Sequence, residues 1–196
     1  MTKICFGGSF NPLHVGHLVV ARAVSEARGF DQVVLIPTAQ PPHKPQAADL
    51  AAACHRLGMC QAVANHDPLF SIEPLELYRR GPSYTMDTIT QLRAMGWQKV
   101  SWLIGADMLQ ILPTWHRAQQ LLDEVEFVIV RRPGSEIDWS ALPPPYQKLR
   151  SQVVDAPLID IRATDIRQRV QQGKPIRYLV PPEVERYIGE HRLYSA

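Results

Sequence analysis

Two histidines three residues apart, His14 and His17, follow a glycine pair, Gly7-Gly8, and flank Gly16. At helical spacing both imidazoles fall on one face, where each can donate an N–H to a phosphoryl oxygen. Gly16 leaves room between them that a side chain would fill. A helix N-terminus favours anions through its free N–H groups and its dipole, so the run Gly7-Gly8-Ser9-Phe10-Asn11-Pro12-Leu13-His14-Val15-Gly16-His17 has the parts of a phosphate site. An isolated H-x-x-H pair more often caps and packs a helix. Here the glycines ahead of it turn the reading toward phosphate. Two familiar nucleotide motifs are absent: the G-x-G-x-x-G spacing fails after Gly7, and no G-x-x-x-x-G-K-[ST] occurs anywhere. Hydride transfer and P-loop hydrolysis therefore lose support.

Other polar residues stand where a ligand could meet them. Lys44, one of five lysines, lies on a proline-stiffened stretch and as a compact cation suits a phosphate. Asp107 follows Gly105 at an expected strand end, suited to accept from a ribose or to cap a helix. Thr164 and Arg167 open an expected helix, where N–H groups and a guanidinium can face phosphates. Cys54, His55, Cys60 and His66 lie near one another, but their spacing does not match paired zinc knuckles and the segment reads as helix.

Positioning these residues takes alternating strands and helices. Residues 3–6 form a short apolar strand, residues 14–28 carry an apolar stripe at helical spacing stopped by Gly29, and residues 32–36 are a β-branched run ending in Pro37. That is a βαβ crossover with two parallel strands. The spacing further predicts a helix over 50–64, an extended stretch over 69–77 broken by Pro74, and a helix N-capped by Ser83 and running to Met95. Strands follow over 99–104 and 125–130, with short helices over 105–112 and 115–122 between them. Residues 153–161 offer one more strand, residues 164–172 a helix stopped by Gly173, and a last helix begins beyond Pro181-Pro182. The expected fold is α/β: a Rossmann-like, doubly wound, mainly parallel sheet with helices on both faces and a small C-terminal helical portion. In such sheets ligands bind at the carboxyl ends of the strands, where the winding reverses.

Composition sets the outer bounds. The 196 residues are 45% hydrophobic and 20% charged, with a formal net charge of +2, which suits one globular domain over residues 1–196. The near-neutral balance argues against a nucleic-acid coat protein. No run approaches the roughly 20 apolar residues of a membrane span, and no secretory leader is legible, so the expected setting is the cytoplasm. Three cysteines are too few for a disulfide framework.

Taken together, these motifs resemble the H-x-G-H signature of the nucleotidyltransferase superfamily and, within it, the bacterial nicotinate-nucleotide adenylyltransferases. The likeness runs from residue 4 to 188 and takes in Pro37-x-x-x-Pro41-Pro42-His43-Lys44, Ser83-Tyr84-Thr85-x-Asp87-Thr88, Ile104-Gly105-x-Asp107-x-Leu109 and Trp115. It continues through Arg132-Pro133-Gly134, Thr164-x-Ile166-Arg167 and Tyr178-Leu179-Val180-Pro181. The resemblance implies transfer of an adenylyl group from ATP, with Mg²⁺, to nicotinate mononucleotide. It also implies His14, His17 and Arg167 as catalytic groups, and Gly7, Gly8, Ser9, Phe10, Gly16, Gly105, Asp107, Arg132 and Thr164 at ATP. Asn11, His43, Lys44, Thr85, Trp115 and His116 would hold the mononucleotide, with the Trp115 ring on the pyridine and Thr85 at its carboxylate. Two departures stand out: Arg162-Ala163 replaces a usual pair of small hydroxyl residues, and Asn11 stands where many relatives carry Asp. Monomer and homodimer both stay open. The alternatives are a related transferase with another acceptor and a nucleotide sensor without turnover.

Overall fold

The computed structural model describes residues 1–42, 49–131, 136–157 and 159–195. Six strands form one sheet: β1 (Lys3–Gly8), β2 (Gln32–Pro37), β3 (Phe70–Ile72), β4 (Ser101–Gly105), β5 (Glu126–Arg131) and β6 (Val153–Asp155). Their order is β3-β2-β1-β4-β5-β6, and every pairing is parallel. The winding reverses between β1 and β4, which opens a crevice at their carboxyl ends. Register lines those ends up: Gly8 pairs with Pro37, Phe6 with Leu103 and Gly105 with Val130. Extending the β1–β4 register sets Gly8 level with Gly105. The loop after β1 and the turn after β4 therefore leave the sheet side by side.

Strand alternation builds two cores from one sheet. Ile4, Val33, Leu35, Val128 and Val130 face α1 (Val15–Arg28), α2 (Ala53–Ala64), α6 (Ala163–Gln171) and α7 (Pro182–Glu190). Cys5, Val34, Ile36, Phe127 and Ile129 face α3 (Thr85–Ala94), α4 (Ala106–Ile111) and α5 (Ala118–Glu124). With both faces covered, the middles of β2, β4 and β5 are apolar on both sides, which is why they read as continuous runs. Among the described residues no helix is long and apolar enough to cross a membrane.

The helix over 14–28 begins one residue later than its pattern suggests, with His14 as N-cap, and ends at Gly29 in the left-handed conformation, φ 68°. Three expectations need correction. Ser83 is not the N-cap of α3; Tyr84 is, and the Ser83 hydroxyl instead accepts the N–H groups of Ala39 and Gln40, both at 3.2 Å. The helix over 50–64 starts at Ala53, because the carbonyl of Ala51 is taken by a side chain of the same helix. The strand over 153–161 stops at Asp155, since β6 is an edge strand with only three partners on β5.

Candidate active site

Helix α1 opens with a reciprocal cap. His17 Nδ1 accepts the His14 N–H at 3.2 Å, and the His17 N–H in turn donates to the His14 carbonyl at 2.9 Å. A ring nitrogen that accepts a backbone N–H carries no proton, so the neutral His17 imidazole holds its proton on Nε2, as a donor on the far side of the ring. The two imidazoles lie 3.6 Å apart between centroids, and Phe6 and Phe10 meet the His17 ring edge-on at 5.9 and 5.4 Å. A Cβ on Gly16 would stand 3.1 Å from His14 Nδ1, so glycine keeps the histidine rotamer open. Gly7 and Gly8 have the same function beside Trp102 and Phe10, with 2.9 Å between each added Cβ and the ring.

The first loop is held from behind. Phe10 adopts φ 45° with its side chain buried, a strained conformation that persists only where surrounding contacts enforce it. Those contacts include Arg56 on α2, which is 1% exposed and donates to the carbonyls of Ala51 (3.0 Å), Ser9 (2.9 Å) and Thr38 (2.6 Å). Burial lowers its pKa below the arginine norm, yet a guanidinium stays charged. Asn11 is 6% exposed: its Oδ1 accepts from Ala51 N, its Nδ2 donates to Asp49 O, and its main-chain oxygen accepts from Arg167 Nη1 at 2.9 Å. Arg167 also grips the Asp49 carboxylate through Nε at 2.7 Å. In this structure Arg167 therefore faces the loop and Asp49, and Asn11 is engaged internally.

A second set of residues converges at the N-terminus of α3. The rings of Tyr84 and His116 stack at 4.4 Å and 27°, which brings the turn carrying Trp115 and His116 against Thr85, the first residue of α3. Trp115 is half-buried and packs on the second core, while Arg117 beside it holds φ 57°. Beneath lies Glu76, 3% exposed, which accepts the Thr88 hydroxyl at 2.8 Å. Burial, its largest influence, raises the carboxyl pKa, against the Thr88 hydrogen bond, the Arg79 charge and the hydroxyls of Ser83 and Thr38. Neither Arg56 nor Glu76 is singled out by motif reasoning. No pattern along the chain marks either, because their partners are brought to them by folding.

The remaining candidates occupy the same edge of the sheet. Asp107 is exposed in the first turn of α4, and a Cβ on Gly105 would overlap its carboxylate. Thr164 is exposed in the first turn of α6, beside Arg162, the N-cap, which meets Asp160 at 3.3 Å. Leu179 O accepts the Val15 N–H at 3.0 Å and so secures the α1 N-terminus. His43, Lys44 and Arg132 lie outside the described residues. Cys5 and Cys60 are buried thiols pushed up to about 12 by desolvation, hence neutral and poor ligands.

A parallel sheet of this order, with a paired-histidine helix cap at its switch point, defines a nucleotide-handling α/β enzyme. The cytidylyltransferase-like family pattern matches residues 5–169, and the chain belongs to that family. Its curated relatives narrow the group to the nicotinate-nucleotide adenylyltransferases. A protein named "Probable nicotinate-nucleotide adenylyltransferase" from Herpetosiphon aurantiacus is 42% identical over 193 residues, 97% of this chain and 96% of that protein. The nicotinate-nucleotide adenylyltransferase of Bacillus subtilis is 37% identical over 198 residues and covers both chains fully. The fold matches that of Plasmodium falciparum nicotinic acid mononucleotide adenylyltransferase, solved with NaAD, at a TM-score of 0.78 and 20% identity, over 99% of this chain and 98% of that one.

Replacing Arg56 by Met leaves three loop carbonyls without their donor. We expect a loss of about 3 kcal/mol in urea unfolding, with Arg56→Lys recovering less than half because an ammonium cannot span three acceptors. Glu76 titrates above its ordinary value of 4.5, so the folded state binds its proton more tightly than the unfolded state. Its stabilising contribution is present at low pH and lost as pH rises through the folded value. Stability of the native protein relative to Glu76→Gln should therefore fall as pH rises from about 4 toward the raised folded value, read by urea unfolding at each pH; a flat difference contradicts this.

Proposed function

We propose that this chain transfers the adenylyl group of ATP to nicotinate mononucleotide, giving nicotinate adenine dinucleotide and pyrophosphate. The observation that carries the reading is the His14–His17 pair at the mouth of β1, two imidazoles 3.6 Å apart that sit at a helix N-terminus. An oxygen of the mononucleotide phosphate attacks the α-phosphorus of ATP in line. A new P–O bond forms as the bond to the β-phosphate bridge breaks, and pyrophosphate leaves with the electron pair. Such transfer needs little covalent help, so the chain contributes position and charge stabilisation. His14 and His17 act on the α-phosphate and the departing pyrophosphate. Gly7, Gly8, Ser9, Phe10 and Gly16 admit the nucleotide, Gly105 and Asp107 meet the ribose, and Arg132 and Thr164 serve the triphosphate, while Arg167, bonded to Asn11 O and Asp49, steadies the loop.

The acceptor lies on the other side of the crevice. Trp115 stacks on the pyridine ring, while Thr85, the first N–H groups of α3 and the His116 backbone take its carboxylate. A helix N-terminus prefers that anion to the neutral amide of nicotinamide mononucleotide. Asn11, His43 and Lys44 complete the phosphate side. Mg²⁺ enters with ATP, held by triphosphate oxygens and water, in keeping with its reluctance to dehydrate. Among the described residues no three His, Cys, Asp or Glu side chains converge to cage it. Residues 1–196 serve as one nucleotidyltransferase domain in a cytoplasmic setting.

The test is pyrophosphate release with Mg-ATP and three acceptors: nicotinate mononucleotide, nicotinamide mononucleotide and phosphopantetheine. We expect nicotinate mononucleotide to be preferred over its amide by about 100-fold or more. Preference for another acceptor would keep the chemistry and reassign Thr85 and Trp115, and ATP binding without release would favour a sensor. His17→Ala should lower kcat by a factor of about 100 to 1000 in protein that stays folded, more than the modest loss of stability from the missing cap explains.

A further inference from the structure

The turn after α7 enters the site through one hydroxyl. Tyr194 Oη donates to Asn11 Oδ1 at 2.8 Å, and the same oxygen accepts the Ala51 N–H at 3.0 Å. Asn11 thus joins three segments that are far apart in sequence: residues 49–51, Arg167 of α6 and Tyr194. It stands three residues ahead of His14.

Placing that hydroxyl has a conformational cost. Arg192 and Tyr194 hold φ 50° and 62°, left-handed values that non-glycine residues rarely adopt. The turn is fastened to α7 by Arg192 N to Gly189 O at 3.2 Å and Leu193 N to Ile188 O at 3.0 Å. Leu193 and the Tyr194 ring pack on the first core. A phenylalanine would pack there as well, so packing explains the ring and leaves the hydroxyl to be explained by its partner. Burial raises the Tyr194 pKa, against the charges of Arg167 and Arg56, so the group remains a donor at neutral pH.

We propose that Tyr194 is a positioning residue for the transfer site: by holding the Asn11 amide it fixes the first loop in the geometry that the His14–His17 cap requires. The inference rests on the reading of that loop as the site of adenylyl transfer. Tyr194 touches neither substrate; its effect passes through Asn11. With the hydroxyl gone, Asn11 Oδ1 keeps one of its two donors, and the segment ahead of His14 gains freedom that each turnover must remove.

The experiment compares Tyr194→Phe with the native protein, then repeats the comparison in Asn11→Ala and Asn11→Asp backgrounds, reading kcat, both KM values and the melting temperature. We expect Tyr194→Phe to lower kcat about fivefold with KM changed less than twofold. The effect should shrink to below twofold in Asn11→Ala, which has no acceptor, and persist in Asn11→Asp, which keeps one. A lower melting temperature with native kcat would assign Tyr194 to packing alone and overturn the proposal. So would a fivefold effect that multiplies unchanged into Asn11→Ala, or one that disappears in Asn11→Asp. If Asn11→Ala does not fold, the Asn11→Asp arm decides. Native protein that releases no pyrophosphate with any acceptor would instead overturn the transferase reading, and this inference with it.

Discussion

One buried guanidinium holds the active edge of this protein together. Arg56 reaches the carbonyls of Ser9, Thr38 and Ala51, which belong to the loop after β1, the loop after β2 and the approach to α2. Chain leaving a parallel sheet carries carbonyls that no strand can satisfy, and three of them meet here. A planar fork of fixed donors answers all three at once. Burying the cation is costly, and the three hydrogen bonds offset that cost only while the loops keep their mutual positions. Arg56 thus couples the geometry of the phosphate loop to that of its neighbours.

A second buried anchor is a carboxyl. Glu76 sits under the start of α3, held by Thr88 and balanced by Arg79, which itself reaches Tyr84 O, Thr88 Oγ1 and Gln91 Oε1. Ser83 ties the same helix start to residues 39 and 40. The crevice is therefore framed by two buried ionisable side chains, Arg56 behind the glycines and Glu76 behind Thr85. Two of the left-handed non-glycine residues lie on segments of this crevice, Phe10 at φ 45° after β1 and Arg117 at φ 57° before α5.

The topology explains why a chain of net charge +2 can serve a highly anionic reaction. Each crossover carries the chain from a strand's carboxyl end into a helix, so the N-termini of α1, α3, α4 and α6 gather at one edge of the sheet. Their free N–H groups and dipoles supply local positive potential without a basic surface. The same arrangement keeps the proposed phosphate contacts at α1 apart from the proposed carboxylate contacts at α3. Selectivity and catalysis can then be altered independently, because different helices carry them.

How much of this was legible in the sequence follows from the range of each interaction. Element types were legible because burial on both faces of a parallel sheet writes continuous apolar runs into the strands and a helical stripe into α1. The His14–Gly16–His17 site was legible too, since helical spacing alone puts both rings on one face. Ser83 was misread as a cap because its hydroxyl had two possible uses, and only the approach of Ala39 and Gln40 decided between them. Arg56, Glu76 and Tyr194 left no local trace, as their partners lie up to 183 residues away. Sequence by itself determined the strands, helices and glycines that shape the first loop, because those depend on neighbours along the chain. Only the tertiary structure decided what holds that loop still, because a buried polar group acquires its meaning from the partners that folding brings to it.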